Sequence, residues 1–423
     1  MKVTLIQPKN EHWINNFEIT TERIKPVRYD LLSLLAISAV IESDCEVQIL
    51  DEKVDGIDFN ESRDIVGITV MTCDAPRAYK IAEEFRARNV KVVLGGIHPT
   101  ACMNEALEHC DTIVIGEAEY TWPQLIHDYK EGQLKRVYKA DRLCDLAKLE
   151  RVSRDNLSKN DNFNIVSCVQ TTRGCPNRCN YCTITAFNKN TYRKRPIEDV
   201  IEDIKSINSR EFLFIDDNLV GDYTRAKELF RNMIGLNKRW TSQMTLSFAD
   251  DKELLDLAQK SGCRSAFVGI ESLSKENLIK LNKSVNKVER LEEQIKKVQD
   301  KGINLEAAFI TGLDCDDEGV FEQIYKFCEK NKISTVNVWV YTPFPGTPLF
   351  DEMKRQDRII NYNWEYYDFC HVVIKPKGMK GDRLQEEADQ LRKYFASKEY
   401  RSKRISSSMD HIRKIVQENR NNL

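Results

Sequence analysis

The chain has 423 residues, 64 basic and 66 acidic side chains, a formal net charge of -2 and 41% hydrophobic residues. That length points to two or three domains, and the charge balance gives no electrostatic reason to expect a nucleic-acid partner. No leader is visible, and the longest apolar-rich run, 31–41, is too short to span a bilayer. The 13 cysteines fit a reducing cytoplasm better than a disulfide framework.

In chain order, residues 1–135 alternate strand-like runs (3–7, 47–50, 65–71, 90–94, 112–115) with helical patterns (31–42, 75–88, 100–110, 122–131). This βαβ order predicts a doubly wound parallel sheet of α/β class. Ligands on such sheets bind beyond the carboxyl ends of the strands. The loops to read are therefore 51–56, 72–75, 95–99 and 116–120. In one of them, Gly95 and Gly96 lack side chains and admit a ligand close to the backbone. Residues 136–163 are polar and weakly periodic, and read as a linker. A second series follows, with strands at 165–170, 212–215, 244–248, 266–270, 307–310 and 336–341. Helical stretches at 197–207, 225–234, 252–260 and 288–301 separate them. It predicts a partial (β/α)6 barrel over 164–350. Residues 351–423 form a small, mostly helical C-terminal segment. Its aromatic run (Trp364, Tyr366, Tyr367, Phe369) either walls the barrel mouth or packs the tail as core. The basic residues Arg401, Lys403, Arg404, Arg413 and Lys414 read as a solvated helix face.

The strongest chemical signal is Cys175, Cys179 and Cys182, a C-x3-C-x2-C loop placed directly after a strand. Thiolates are soft ligands suited to iron–sulfur clusters. Three of them leave one iron open to a chelating cofactor. Zinc would call for a fourth Cys or His, and no such partner follows nearby.

The triplet and its barrel-like setting resemble the radical S-adenosylmethionine (SAM) superfamily over about residues 164–350. The resemblance implies a [4Fe–4S] cluster on the three cysteines and SAM on the open iron. It places Tyr181 near the adenine. It places Asp216, Asp217 and Asn218 at the SAM amino group, in the Asp-Asp-Asn form found in a cobalamin-associated branch. Both aspartates also suit a helix cap or turn. It gives Glu271 a polar contact to SAM, with a buried structural role as the alternative. Residues 1–135 resemble the cobalamin-binding domain of B12-dependent radical SAM proteins. The residues that carry this likeness are Thr69, Met71, Gly95, Gly96, His98, Gly116 and Glu117. Lys53 stands where related cobalamin domains place a cobalt-ligating histidine, and an ammonium has no lone pair to offer. No histidine from that loop is therefore expected on cobalt. His98 is either an alternative axial ligand or a polar loop contact.

Together these likenesses imply C-methylation of an unactivated carbon in a small-molecule or lipid substrate, with a flavodoxin- or ferredoxin-type protein as reductant. The alternatives are a non-methylating radical SAM enzyme (ring closure, carbon–carbon coupling or oxidation) and a non-enzymatic cobalamin or redox sensor. A methylthiotransferase would need a second cluster and a basic β-rich tail, which the sequence does not offer.

Overall fold

The computed structural model describes residues 1–9, 27–157 and 164–402. In its first part, strands β1 (Lys2–Gln7), β2 (Val27–Tyr29), β3 (Glu46–Asp51), β4 (Ile65–Thr69), β5 (Lys91–Gly95), β6 (Thr112–Ile115) and β7 (Val137–Lys139) alternate with helices. The second part contributes β8 (Asn164–Val169), β9 (Thr172–Gly174), β10 (Tyr192–Lys194), β11 (Glu211–Phe214), β12 (Arg239–Gln243), β13 (Cys263–Glu271), β14 (Asn304–Thr311) and β15 (Thr335–Val340). One sheet has the order β3-β1-β4-β5-β6-β7, and the other β15-β14-β13-β12-β11-β8-β2. Every pairing within these two sheets is parallel. The chain reverses direction across the first sheet between β1 and β4, which opens a crevice at their carboxyl ends.

Both faces of the first sheet are buried, as a parallel sheet requires. On β1, Ile6 packs into the cluster under the helix Ala75–Arg86. Val3 and Leu5 pack on the other face, under Leu32–Ala39 and Trp122–Lys130. The second sheet curls into a partial barrel, with its helices in an outer layer. Trp240 is buried there, 5.0 Å from the Phe230 ring and 5.5 Å from the Phe214 ring.

Four elements differ from the sequence reading. The strand expected at 244–248 is β12, at Arg239–Gln243. Trp240 and Ser242 face the outer layer, so Thr241 and Gln243 face inward. That leaves a strand with a single large apolar residue. The period-two pattern of Met244, Leu246 and Phe248 lies instead past the strand's end, where all three are buried and the latter two belong to a 3₁₀ turn, Leu246–Asp250. The helix expected at 100–110 breaks at Cys102 into Ile97–Ala101 and Met103–His109. Strand β7 lies within the stretch read as linker and completes the first sheet. Strand β2, from the stretch read as part of the first unit, pairs with β8 at the edge of the barrel sheet. The C-terminal segment carries a helix, Gly381–Ala396, against β15. Lys403, Arg404, Arg413 and Lys414 lie outside the described residues. Among those residues, no helix is long and apolar enough to cross a membrane.

Candidate active site between the two sheets

The cysteine loop is anchored before it begins. The Asp216 carboxylate, just past β11, accepts hydrogen bonds from Thr171 N (3.0 Å), Thr171 Oγ1 (2.7 Å) and Thr172 Oγ1 (2.6 Å). It is fully buried and pins the end of β8. Gly174 then turns with φ +85°, where a Cβ would lie 2.1 Å from the Thr191 carbonyl oxygen. No other residue fits that approach without a backbone shift. Its N–H donates to Asp217 Oδ2 at 3.0 Å. Cys175, Cys179 and Cys182 follow, and Cys182 precedes the helix Thr183–Phe187. Burial pushes the Cys175 thiol up and the Cys179 thiol up to about 11, and the neighbouring cysteines add to both shifts. Beside them, Tyr181 Oη donates to Glu271 Oε1 at 2.9 Å. The Asn218 side chain accepts from Thr245 N at 3.3 Å.

A cavity of about 580 Å³ lies between the two sheets and is bordered by the flanks of this loop, Arg173 before it and Ile184 and Phe187 after it. Of the residues singled out in the sequence, Thr69, Met71, Gly95, Gly96, Gly116 and Glu117 line it from the first sheet, and Asp217 lines it from the barrel. These are the carboxyl ends of β4, β5, β6 and β11. Met71 is 42% exposed, so its thioether side chain stands open at this edge of the cavity. Gly96, at φ +106°, packs so closely on Val70 that a Cβ would lie 2.9 Å from its carbonyl oxygen. Thr100, which the sequence reading did not single out, ties two of these loops together. Its hydroxyl donates to Gly96 O (2.7 Å) and accepts from Gly116 N (2.9 Å).

Several expected contributors stand elsewhere. Cys175, Cys179, Cys182, Asp216, Asn218, Tyr181 and Glu271 do not line the cavity, and neither does any residue of 51–56. The 51–56 loop is held by Arg28, 3.4 Å from both Asp51 and Asp55. His98 is fully buried away from the cavity, with Nε2 3.0 Å from Tyr79 Oη and 3.5 Å from Glu105 Oε1. The Trp364 indole donates to that same Glu105 oxygen (2.8 Å), so this network ties the C-terminal segment to the first sheet. Glu117 reaches the cavity wall, but its oxygens are engaged. Arg173 Nη1 donates to Oε1 (2.8 Å), Arg193 to both oxygens (2.9 and 2.7 Å), and Cys144 N to Oε2 (2.7 Å). Burial would push this carboxyl up, but the two guanidinium groups outweigh it and hold it below its usual value.

Asp217 carries a pH expectation. Burial pushes it up to about 6, against an ordinary value of 3.8, despite the Gly174 hydrogen bond. A raised acid contributes stability below its unfolded pKa and loses it as pH rises through the folded one. Asp217→Asn is therefore expected to stabilise the protein by about 2 kcal/mol at pH 7.5 and by little at pH 4. Urea unfolding at the two pH values checks this, and an equal effect at both would refute it.

Against this geometry, the comparisons with known proteins are informative. The radical SAM superfamily matches residues 169–328, and the B12 binding domain matches residues 29–126. The bacteriochlorophyllide d C-12(1)-methyltransferase of Chlorobaculum tepidum is 32% identical over 86% of this chain and 81% of its own. The chain belongs to the B12-binding radical SAM family. The bacteriochlorophyllide d C-8(2)-methyltransferase of the same organism is 29% identical over 78% of this chain and 77% of its own. The fold matches that of the radical SAM methyltransferase TsrM from Kitasatospora setae, solved with cobalamin and a [4Fe–4S] cluster. The TM-score is 0.69 at 18% identity, over 84% of this chain and 78% of that one.

This B12-binding radical SAM protein is an enzyme whose family cofactors are a [4Fe–4S] cluster, SAM and cobalamin. Its residues fit them. Three thiols on one loop, without a fourth cysteine or a histidine in the loop, match a cluster with one open iron. Gly95 leaves space at the end of β5, where a Cβ would find only Val114, at 3.8 Å. That opening suits a planar macrocycle lying on the strand ends. The sequence reading missed Arg173, Arg193, Thr100 and Lys283. Arg173 stood in plain view two residues before Cys175, but its carboxylate partners become visible only when the two sheets meet.

Proposed function

We propose that this protein C-methylates an unactivated carbon of a small-molecule or lipid substrate. The observation that carries the proposal is the cavity itself. The cysteine loop's flank, Arg173 and Asp217, forms one wall, and the glycine-lined strand ends of the B12-binding sheet form the other. When bound, the cluster and SAM supply a 5′-deoxyadenosyl radical and the corrinoid supplies a methyl group. The protein's own work is placement. Cys175, Cys179 and Cys182 hold iron. Asp216 braces the start of their loop. Tyr181 and Glu271 stand beside the cysteines to orient SAM. Gly95 and Gly96 admit the corrinoid, with Thr69, Met71 and Gly116 around it. Inside the barrel, Phe267, Trp339 and Phe369 form a ring series at 5.8 and 5.1 Å. Next to them is a buried polar pair, with Asn337 Nδ2 donating to Glu306 Oε1 at 2.9 Å. That lining suits a largely apolar substrate with one polar group. The names of the two Chlorobaculum relatives support a tetrapyrrole side chain as the first substrate to try. The thirteen cysteines are all free, which supports a cytoplasmic setting with a flavodoxin- or ferredoxin-type donor.

The test is anaerobic reconstitution with iron, sulfide and hydroxocobalamin, followed by reduction with methyl-deuterated SAM and bacteriochlorophyllide d. The expected result is 5′-deoxyadenosine together with a deuterated methyl group on the corrinoid and on the product. Deoxyadenosine without label on either would overturn methyl transfer and leave the ring-closing or oxidative chemistry. A companion variant, Gly95→Leu, is expected to lose most of its retained corrinoid while its melting temperature holds, because position 95 lines the cavity and a Cβ there makes only ordinary contact with Val114. Full corrinoid retention in that variant would move the cobalamin site elsewhere.

A further inference from the structure

The segment after the helix Lys275–Lys280 is sewn to the cysteine loop in both directions. Asn180 donates from its backbone to Leu281 O (3.2 Å) and from its side chain to Lys280 O (2.8 Å). Asn282 returns a bond from its side chain to Arg178 O (2.6 Å). Four residues further on, Asn286 Nδ2 donates to Gly269 O (2.8 Å) and Ile270 O (2.9 Å), fixing the same segment to the end of β13. Between these two seams hangs Lys283. Its side chain is only 13% exposed, and its ammonium lies 3.0 Å from Glu271 Oε1. Burial would pull this lysine down, but Glu271 and the thiols of Cys179 and Cys182 outweigh it and keep it charged.

Glu271 is itself held in an uncommon state. Its φ is +66°, the left-handed region that costs a non-glycine residue energy. One carboxylate oxygen takes both Tyr181 Oη and Lys283 Nζ, and the other, Oε2, is buried with no partner among the described residues. A buried oxygen left unpaired forfeits its hydration with nothing in return, which points to a donor that arrives with a ligand. The reductive step adds one electron, from an external reductant, to a cluster already surrounded by three thiolates. Nearby fixed charge is one of the levers that set such a cluster's potential.

We propose that Lys283 is a positioning residue of the iron–sulfur site: its ammonium orients Glu271 and stabilises the added electron of the reduced cluster. The proposal rests on the cluster being held by Cys175, Cys179 and Cys182, which the iron content of the wild-type protein tests separately. The experiment is a redox titration of the reconstituted full-length protein, followed by electron paramagnetic resonance, on wild type, Lys283→Met, Lys283→Gln, Lys283→Arg and Glu271→Gln. Loss of the cation is expected to move the midpoint to lower potential and to weaken the reduced signal several-fold at a fixed dithionite potential. Arginine is expected to restore both. Glu271→Gln, which removes an anion, is expected to move the midpoint the opposite way. Loss of iron from both neutral variants, with iron retained by Lys283→Arg, would also support a required cation. Wild-type midpoints in the neutral variants at full iron content would overturn the proposal. So would a shift of the same sign in Lys283→Met and Glu271→Gln.

Discussion

Cys179→Ala is expected to leave a folded protein without a cluster. Cys179 is the most enclosed of the three thiols, 6% exposed, and its replacement removes one of three bonds to iron with no spare cysteine in the loop. The fold should bear the change, because losing a single sulfur atom from a partly polar loop costs about 1 kcal/mol. Iron content and visible charge-transfer absorption after anaerobic reconstitution should fall to background. No 5′-deoxyadenosine should then form on reduction with SAM. Cys328→Ala is the matched control, since that cysteine is fully buried in the outer helical layer, away from the loop. A Cys179→Ala protein that keeps its iron and cleaves SAM would remove the cluster from this loop. Assembly should also depend on pH. The thiols stand above their usual values, and iron binding must expel their protons, so loading should quicken as the medium becomes more alkaline.

Arg173→Ala is expected to cost about 3–5 kcal/mol of stability, the range for breaking one side of a buried ion pair. Arg173 meets two carboxylates from the first sheet, Glu117 at 2.8 Å and Glu119 at 2.5 Å, and both are nearly as buried as a core residue. Its Nε also donates to Gln170 Oε1 at 2.9 Å. Alanine would strand Glu119 and leave Glu117 to Arg193 and the Cys144 N–H. A urea midpoint measures the loss. The triple variant Arg173→Met, Glu117→Gln, Glu119→Gln should recover most of it, because the cost lies in unpaired charge more than in the missing contact. A loss below about 1 kcal/mol for Arg173→Ala would mean that solvent reaches the cluster of charges and screens it.

What the sequence made legible follows from which forces are local. Strands such as β4 and β6 are nearly continuous apolar runs because both of their faces are buried, and they could be read directly. The cysteine loop was legible because ligand chemistry dictates its spacing. The glycines at 95, 96 and 116 were legible as strand ends, and all three line the cavity. Where a residue's neighbour comes from the other sheet, the pattern was silent. Glu117 was read as a cofactor contact, whereas its oxygens are engaged by arginines from the barrel. Asp216 and Asp217 look alike in the sequence and both hold the start of the cysteine loop, yet only Asp217 also borders the cavity. Strand β12 hid because its inward face is polar, and β2 hid because three residues are too few to show a period.

The placement of β2 bears on how the chain is made. Tyr29 pairs with Val166, while the strands on either side of β2 in sequence, β1 and β3, pair with each other in the first sheet. On the ribosome, the first sheet can close as soon as β7 emerges, but β2 has no partner until β8 follows. At ordinary elongation rates that wait lasts on the order of ten seconds. The nascent polypeptide would carry an unpaired edge throughout, the kind of edge that invites pairing with another chain. The two halves are thus interlaced rather than joined end to end. A protease nick between β7 and β8 should leave them bound together, and separately translated halves should aggregate before they find each other.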